Sequence, residues 1–133
     1  MRDVIELQAM KALYCEIADG SVKDTPKAAR QFRELFALEL SADYGLGLLK
    51  GCDAVIDFLV TAIASTNDSL WHSIHSPQIH VNGDTAAGRW TVMVRMRPKG
   101  STTTNVLIGR YQDEFRRTSE GWKFSSIRFV AED

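Results

Sequence analysis

The sequence predicts an α+β domain with three helices first and antiparallel strands afterwards. Up to residue 64 the apolar residues recur at intervals of three and four, which is the period of one helix face. After residue 70 they alternate with polar residues, as in a strand that is buried on one side. A tight-turn signal, Asn82-Gly83-Asp84, separates two such alternating runs and indicates a hairpin. Helices that cover one face of an antiparallel sheet are the usual form of this order of elements.

The first helix is predicted from Val4 to Ala18, because its apolar residues have helical spacing. These residues are Leu7, Met10, Tyr14 and Ile17. Gly20 is expected to end the helix in a left-handed conformation, which leaves Asp19 as the C-cap. The second helix is expected to open with Thr25 as N-cap and Pro26 at the first helical position, where a missing N–H has no cost.

The rest of the helical part is less regular. The second helix is expected to bury one stripe of residues, Ala28, Phe32, Leu35 and Phe36. Residues 39–50 are irregular and contain glycine, and a turn with a short strand near residues 46–49 is expected there. A third helix is predicted from Cys52 to about Ala64. It would bury Val55, Ile56, Leu59, Ala62 and Ile63.

The strands follow from the alternation of side chains. In the second strand of the hairpin, one face is apolar and consists of Trp90, Val92, Val94 and Met96. The Asn-Gly turn between the two strands favours a type I′ conformation, in which both central residues have positive φ. Two more strands are predicted, at about residues 104–117 and 122–130. Their apolar rows are Leu107, Tyr111 and Phe115 in one and Trp122, Phe124 and Val130 in the other.

The composition is that of an ordinary globular domain. A chain of 133 residues is expected to form a single domain over its whole length, 1–133, with room for a core and a ligand cavity. The chain is 44% hydrophobic and 25% charged, and its formal net charge of −1 gives no electrostatic reason to expect a nucleic acid or an anionic membrane as partner. We find no apolar run of about 20 residues and no signal peptide, and Cys15 and Cys52 lie among apolar neighbours. These features predict a cytoplasmic protein with two buried, reduced cysteines.

Two strings of residues resemble a known family. They are I-x-V-N-G-D-T-A-x-G-R-W, at residues 79–90, and G-R-Y-x-D-E-F-x-R-x-x-x-G-W-K-F, at residues 109–124. With three helices ahead of them, they resemble the SnoaL-like branch of the nuclear transport factor 2 superfamily. The resemblance covers nearly the whole chain. It implies a cone-shaped, cystatin-like barrel with an apolar cavity, a fold that hosts dehydratases, dehydrochlorinases, isomerases, cyclases and non-catalytic binders.

The resemblance is strongest to bile-acid 7α-dehydratase-like and lindane dehydrochlorinase-like members, and it implies particular site residues. The positions that line the cavity in those relatives match Tyr14, Asp19 and His72, and His75 matches a further histidine of some dehydratase-like strings. Some relatives carry an arginine where this chain has Ile127. The neighbouring Arg128 would point to the opposite face of a regular strand.

The expected chemistry is proton transfer by His72. Histidine titrates near neutral pH, and a carboxylate such as Asp19 on one ring nitrogen would fix the tautomer and leave the other nitrogen free. An anion is unfavourable at a helix C-terminus, so a cationic histidine would compensate for it. The alternative interpretation is that Asp19 only caps a loop and His72 is a core histidine with a structural partner. Tyr14 is either a donor to a leaving oxygen or a core tyrosine.

Other polar and aromatic residues have a simpler interpretation. His72, His75 and His80 lack the convergent spacing of a zinc site, so no metal is expected. Phe58, Trp71 and Trp90 are expected in the core or the cavity wall, where they would contact a substrate. A row of charged residues is expected to form ion pairs on a solvated face, although Arg128 or Arg110 could instead bind an anionic substrate. The row consists of Arg110, Asp113, Arg116, Arg117 and Arg128.

The leading hypothesis is therefore a cofactor-independent lyase of the dehydratase type that acts on a hydrophobic, cyclic small molecule. A second hypothesis is isomerisation or cyclisation in the same cavity. A third is a non-catalytic ligand-binding or subunit-like protein, which predicts that Asp19 and His72 are too far apart to bond. The resemblance also implies a homo-oligomer, a dimer or a trimer, assembled through the sheet.

Overall fold

A six-stranded, curved and unclosed sheet carries three helices in the computed structural model, which describes residues 1–132. The helices are α1 Arg2–Gly20, α2 Thr25–Leu35 and α3 Cys52–Asp57. The strands are β1 Phe36–Asp43, β2 Leu48–Lys50, β3 Asn67–Asn82, β4 Thr85–Pro98, β5 Asn105–Thr118 and β6 Gly121–Ala131. This is the predicted α+β class. No helix within residues 1–132 is long and apolar enough to cross a bilayer.

The sheet is mixed, whereas the sequence predicted an antiparallel one. Its strand order is β2-β1-β6-β5-β4-β3, and β1 runs parallel to β6 while the other neighbours are antiparallel. The prediction missed β1 because Phe36 has the spacing of a helix residue. In the structure the helix ends at Leu35, and Phe36 already has extended backbone with φ −100° and ψ 137°. Only the short β2 lies where a strand was expected in this segment.

The predicted ends of the first two helices were wrong by a residue or two. α1 continues through Gly20, so Asp19 lies in the last helical turn, and the C-cap is Ser21 in a right-handed conformation. Ser21 replaces the expected left-handed glycine by bonding back to the helix, because its hydroxyl donates to the Ala18 carbonyl at 2.6 Å. The N-cap of α2 is Asp24, whose carboxylate accepts from the Lys27 N–H. Thr25 is therefore already helical.

The predicted third helix changes its winding halfway. α3 ends at Asp57, and the chain continues as a π-helical turn, Phe58–Ile63, and a 3₁₀ turn, Ala64–Thr66. The wider π turn changes which side chains face the core. Ala62 is exposed and Ile63 is only half-buried, contrary to the prediction, while Ala64 is buried.

The central hairpin has the predicted faces. Trp90, Val92 and Val94 are buried on the inner face of β4, and Met96 is partly buried beside them. The turn differs from the predicted type I′. Asn82 pairs with Thr85, so the central residues are Gly83 and Asp84, and Gly83 with φ 63° is the turn residue with positive φ.

Two glycines of the motif strings leave room for aromatic rings. A Cβ atom at Gly88 would lie 2.6 Å from two atoms of the Trp90 ring. A Cβ atom at Gly109 would lie 2.5 Å from the Val130 carbonyl oxygen and 2.8 Å from the Phe129 ring. Glycine therefore leaves space for the Trp90 ring over its own strand β4 and for the Phe129 ring over the neighbouring strand β5.

A buried ion pair lies between α1 and the sheet. The Lys11 ammonium is 2.9 Å from an Asp113 carboxylate oxygen, and both side chains have 0% exposure. The prediction that Asp113 belongs to the solvated charge row was wrong. Asp113 is two residues from both Tyr111 and Phe115, so it shares their inner face, where all three are buried. The arginines of that row are exposed, and Arg116 and Arg117 form the expected ion pairs, with Glu39 and with Asp3 and Asp84.

The ion pair makes stability depend on pH. Burial raises the pKa of Asp113 from 3.8 to about 6, against the opposing effect of Lys11. Because the folded pKa lies above the unfolded one, the stabilising contribution of protonated Asp113 is complete below pH 4 and is lost as the pH rises through about 6.

We therefore expect Asp113→Asn to change the slope of stability against pH. The free energy of unfolding of the wild type, relative to the variant, should fall by on the order of 1–3 kcal/mol between pH 4 and pH 7. Urea denaturation at several pH values measures this difference, and other titrating groups cancel in the subtraction. A difference that is constant with pH would contradict the assignment.

Candidate active site

His72 and Asp19 meet at the free edge of the sheet. The Nδ1 atom of His72 lies 2.7 Å from Oδ1 of Asp19, and the backbone N–H of His72 donates to the same oxygen at 2.9 Å. β3 is an edge strand, so the N–H groups along its free edge need partners outside the sheet. Asp19 supplies such a partner for His72. The separation that the non-catalytic hypothesis predicted for these two residues is not found.

The winding of α1 places Asp19 over β3. One inner stripe of the helix contains Leu7, Lys11, Cys15 and Asp19, spaced by four residues each. The first three are buried in the core and Asp19 is only half-buried, so the stripe runs from the interior to the rim. Asp19 lies in the last turn of α1, which contains no basic residue, and the negative end of the helix dipole opposes its charge. Two N–H groups of His72 are available to offset that repulsion.

The His72–Asp19 pair is largely buried but keeps some exposure to solvent. The exposed fractions of the side chains are 8% for His72 and 23% for Asp19. A carboxylate accepts hydrogen bonds only, so the neutral imidazole must carry its proton on Nδ1 in order to bond Asp19. The Nε2 atom is then a proton acceptor, which is the arrangement required of a general base.

Tyr14 leaves α1 in a different direction from Asp19 and lies in an aromatic cluster. Because α1 stays helical through Gly20, Tyr14 and Asp19 leave the helix about 140° apart, at roughly 100° per residue. The Tyr14 side chain is buried, and its ring contacts Phe32, Phe36, Tyr111 and Phe124 at centroid distances of 5.6 to 6.3 Å. Burial raises the pKa of Tyr14 well above 10, so its hydroxyl stays protonated.

The hydroxyl of Tyr14 has a partner that the sequence did not indicate. It lies 2.7 Å from the hydroxyl of Tyr44, which directly follows β1. The Tyr44 ring stacks on Phe58 at a centroid distance of 5.4 Å, and burial also raises the pKa of Tyr44. Tyr44 lies in the segment predicted to be irregular, so no strand pattern assigned it to a face. Phe58 does face the interior, as expected.

The structure does not bring His75 to His72. The residues of β3 that face inward are Leu70, His72 and Ile74, which pair with inward residues of β4, whereas His75 is exposed on the outer face. Its ring bonds to the Ser76 hydroxyl at 2.9 Å. Trp71 also lies on the outer face and is 60% exposed, so the expectation that it forms a cavity wall was wrong.

Arg128 points outward because of a bulge in β6. Glu114 pairs with Ser126 but Phe115 pairs with Phe124, so one extra residue interrupts the alternation. After the bulge, Ile127 is the inward residue with 1% exposure, and Arg128 is exposed. The same shift leaves Val130 37% exposed, although the regular pattern predicted it to be buried. Arg128 is therefore not placed to bind a substrate inside the cone.

The remaining predicted residues are accounted for by packing. Trp90 is 3% exposed and packs edge-on against Phe115, so it forms core rather than an open wall. Cys15 and Cys52 are buried and unpaired, as predicted, and burial raises the pKa of Cys15 to about 11. No group of three or more metal-ligating side chains converges anywhere in residues 1–132.

Two open depressions of the surface lie away from the His72–Asp19 pair. One of about 680 Å³ is formed by α2, β1 and β6, and one of about 600 Å³ lies over the outer faces of β4, β5 and β6. Neither includes His72 or Asp19 in its walls.

Comparisons with known proteins agree with the fold. A family model described as SnoaL-like domain matches residues 1–128. No curated protein sequence matches the chain. A nuclear transport factor 2-like protein of Salmonella enterica serovar Typhimurium is similar in structure, with a TM-score of 0.85 at 16% identity over 100% of this chain and 94% of the other.

Two other similar structures carry names of enzymes. A candidate scytalone dehydratase of Novosphingobium aromaticivorans has a TM-score of 0.82 at 21% identity, over 100% of this chain and 89% of the other. A hexachlorocyclohexane dehydrochlorinase of type 2 has a TM-score of 0.76 at 16% identity, over 98% of this chain and 90% of the other. At these identities the likeness shows the fold.

We expect neutral His72 to carry its proton on Nδ1 in the wild type. Asp19→Asn should shift the population toward the Nε2–H form, because an asparagine NH₂ group can donate to Nδ1. Long-range ¹H–¹⁵N correlation spectra distinguish the two tautomers directly. His80, which is exposed, is the internal control, and its spectrum should not change. An Nε2–H tautomer in the wild type would rule out the hydrogen bond to Asp19.

Proposed function

Because this chain belongs to the SnoaL-like domain family, we propose that it is a lyase of the dehydratase type. The substrate would be a hydrophobic, cyclic small molecule. The observation that carries the proposal is the contact between His72 and Asp19, with one ring nitrogen held by the carboxylate and the other left to accept a proton. The chemistry needs only proton transfer, so it requires no cofactor.

In the proposed reaction His72 removes a proton from carbon. The C–H electrons form the new double bond, the C–O bond breaks, and the leaving hydroxyl takes the proton back from the His72 imidazolium and departs as water. Asp19 stabilises the imidazolium that forms, through the 2.7 Å contact with Nδ1. The C–H bond must be acidic enough for an imidazole, which favours a hydroxyl group β to a carbonyl group.

Tyr14 is proposed as the hydrogen-bond donor to the leaving oxygen or to the developing enolate. Burial raises the pKa of Tyr14 well above its ordinary value, which supports this role because the hydroxyl stays protonated at neutral pH. Tyr44 bonds to it and lies on the same inner side. His75 has no part in the proposal, because it lies on the outer face of β3.

Similar structures provide support of a weaker kind. The candidate scytalone dehydratase and the dehydrochlorinase are named after eliminations, which is the class of reaction proposed here. Isomerisation or cyclisation would use the same base and would leave the mass of the substrate unchanged. The two buried, unpaired cysteines support a reducing compartment such as the cytoplasm.

A panel of cyclic β-hydroxy ketones tests the reaction. We expect loss of water, measured by mass spectrometry and by the absorbance of the conjugated enone. His72→Ala should lower kcat by about 10²- to 10⁴-fold, the usual contribution of a general base. Asp19→Asn should also lower kcat strongly, because it removes the negative charge and the tautomer control.

The matched control is His80→Ala, which removes an exposed histidine and should leave turnover unchanged. Turnover with no change of mass would favour the isomerase or cyclase hypothesis. Full turnover in both His72→Ala and Asp19→Asn would refute the mechanism. Ligand binding without turnover would favour the non-catalytic alternative.

We also propose that a second copy of the chain binds the outer face of the sheet. Five large apolar side chains are exposed there, which a lone domain seldom leaves uncovered. They are Trp71 60%, Val106 56%, Ile108 50%, Met93 37% and Val130 37%. Met93 pairs directly with Ile108, so these two side chains form a continuous apolar patch across β4 and β5.

Ile108→Asp should convert the oligomer to a monomer, because it places a charge at the centre of that patch. Size-exclusion chromatography with light scattering measures the mass of both proteins. Leu38→Asp is the matched control, since Leu38 is 80% exposed outside the patch and its variant should keep the oligomer mass. A wild-type protein that is monomeric at all concentrations tested would contradict the proposal.

A further inference from the structure

The Lys11 ammonium is enclosed by aromatic rings. Its Nζ atom lies 3.3 Å from the centroid of the Tyr111 ring and 4.1 Å from that of Tyr14. Phe124 and Trp90 are farther, at 5.5 and 5.8 Å. Asp113 provides the ionic partner at 2.9 Å. Neither the ammonium nor the Asp113 oxygens have a hydrogen bond of good geometry, so charge and ring faces hold the ammonium.

Stability does not account for such a pair. The desolvation of two fully buried charges commonly offsets their attraction, and apolar residues of similar volume often stabilise a fold equally well or better. Buried polar groups that lack hydrogen bonds also weaken a fold and need an explanation. The contacts of Lys11 therefore point to a role beyond the core.

Among the neighbours of Lys11, Tyr14 is the residue that has a role in the proposed reaction. The ammonium lies over its ring, and the hydroxyl of the same ring bonds to Tyr44 at 2.7 Å. A cation over an aromatic face attracts the π electrons, so it favours the ring plane that presents a face to it and slows rotation out of that plane. Electron density drawn toward the ring makes the phenol O–H a stronger hydrogen-bond donor.

We propose that Lys11, held by Asp113, is a positioning residue for the Tyr14 hydroxyl. Its ammonium fixes the ring of Tyr14 and strengthens the hydroxyl as a donor to the substrate oxygen. The inference rests on the proposed function of Tyr14. The role proposed for Lys11 is indirect, because its fully buried ammonium acts through the ring of Tyr14.

The first test measures the ring and needs no substrate. Lys11→Met/Asp113→Leu replaces both charges by apolar side chains of similar size, which preserves folding. In NMR spectra of protein with labelled tyrosine, we expect Tyr14 ring flips to become about 2- to 30-fold faster, the factor that a cation–π contact contributes. Lys27→Met, at an exposed site on α2, is the control and should leave the flips unchanged. An unchanged flip rate in the double variant would overturn the proposal.

The second test uses turnover and asks whether Lys11 acts through Tyr14. Lys11→Met should lower kcat with little change in KM, and it should cause no further loss in a Tyr14→Phe background. A loss by the same factor in both backgrounds would mean that Lys11 does not act through Tyr14. If Tyr14→Phe has no effect on kcat, the catalytic role of Tyr14 fails, whereas the ring-flip result still decides the positioning.

Discussion

The position of α1 against the sheet is the constraint on which the interior depends. Two polar contacts fix that position: Lys11 meets Asp113 on β5, and Asp19 meets His72 on β3. Lys11 and Asp19 are two helical turns apart on one stripe, about 12 Å along the axis. A slip of the helix by a single residue would rotate both side chains away from their partners by about 100°. The two contacts therefore specify one register, which apolar packing alone would define less sharply.

The contact at the rim serves the fold and the proposed chemistry together. The edge strand β3 exposes N–H groups that must be satisfied, and Asp19 accepts from the N–H and from the ring of the same residue. Removing the carboxylate altogether would leave a backbone donor without a partner, which itself destabilises the edge. Asparagine keeps an acceptor oxygen and removes the charge. It therefore separates the structural from the electrostatic contribution better than alanine does.

The sequence predicted the elements that repeat a pattern and missed those that break one. The three helices, the central hairpin and the β5 and β6 strands follow from regular spacing. The contact between Asp19 and His72 was implied by the family resemblance and has no signal in the spacing. β1 was missed because its first residue continues the apolar stripe of α2, and a one-residue bulge in β6 turned Val130 out of the apolar row that Trp122 and Phe124 begin. Neither event has a signal in hydrophobic periodicity.

Lys11 was missed for a different reason. Lysine is almost never fully buried. The buried face of a helix is therefore predicted from its apolar residues, and a lysine on that face is expected to be exposed to solvent. Two signals were nevertheless present in the chain. Lys11 follows Leu7 by four residues on the buried stripe, and Asp113 has the inward parity of Tyr111 and Phe115. Opposite charges on two faces that both point inward are evidence for a buried pair.

The two polar pairs of the interior differ in their exposure to solvent, and this difference decides what each can do. Lys11 and Asp113 have no exposure, and the rings around the Lys11 ammonium hold it in place. His72 and Asp19 retain 8% and 23% exposure, so protons can reach and leave the imidazole. In the proposed reaction, the buried Lys11 ammonium orients the hydroxyl of Tyr14, and His72 at the edge of the sheet transfers the proton. A preorganised environment of this kind stabilises a transition state without reorganising during the reaction. The buried ion pair would then act on the reaction through Tyr14, and the histidine would act on the substrate directly.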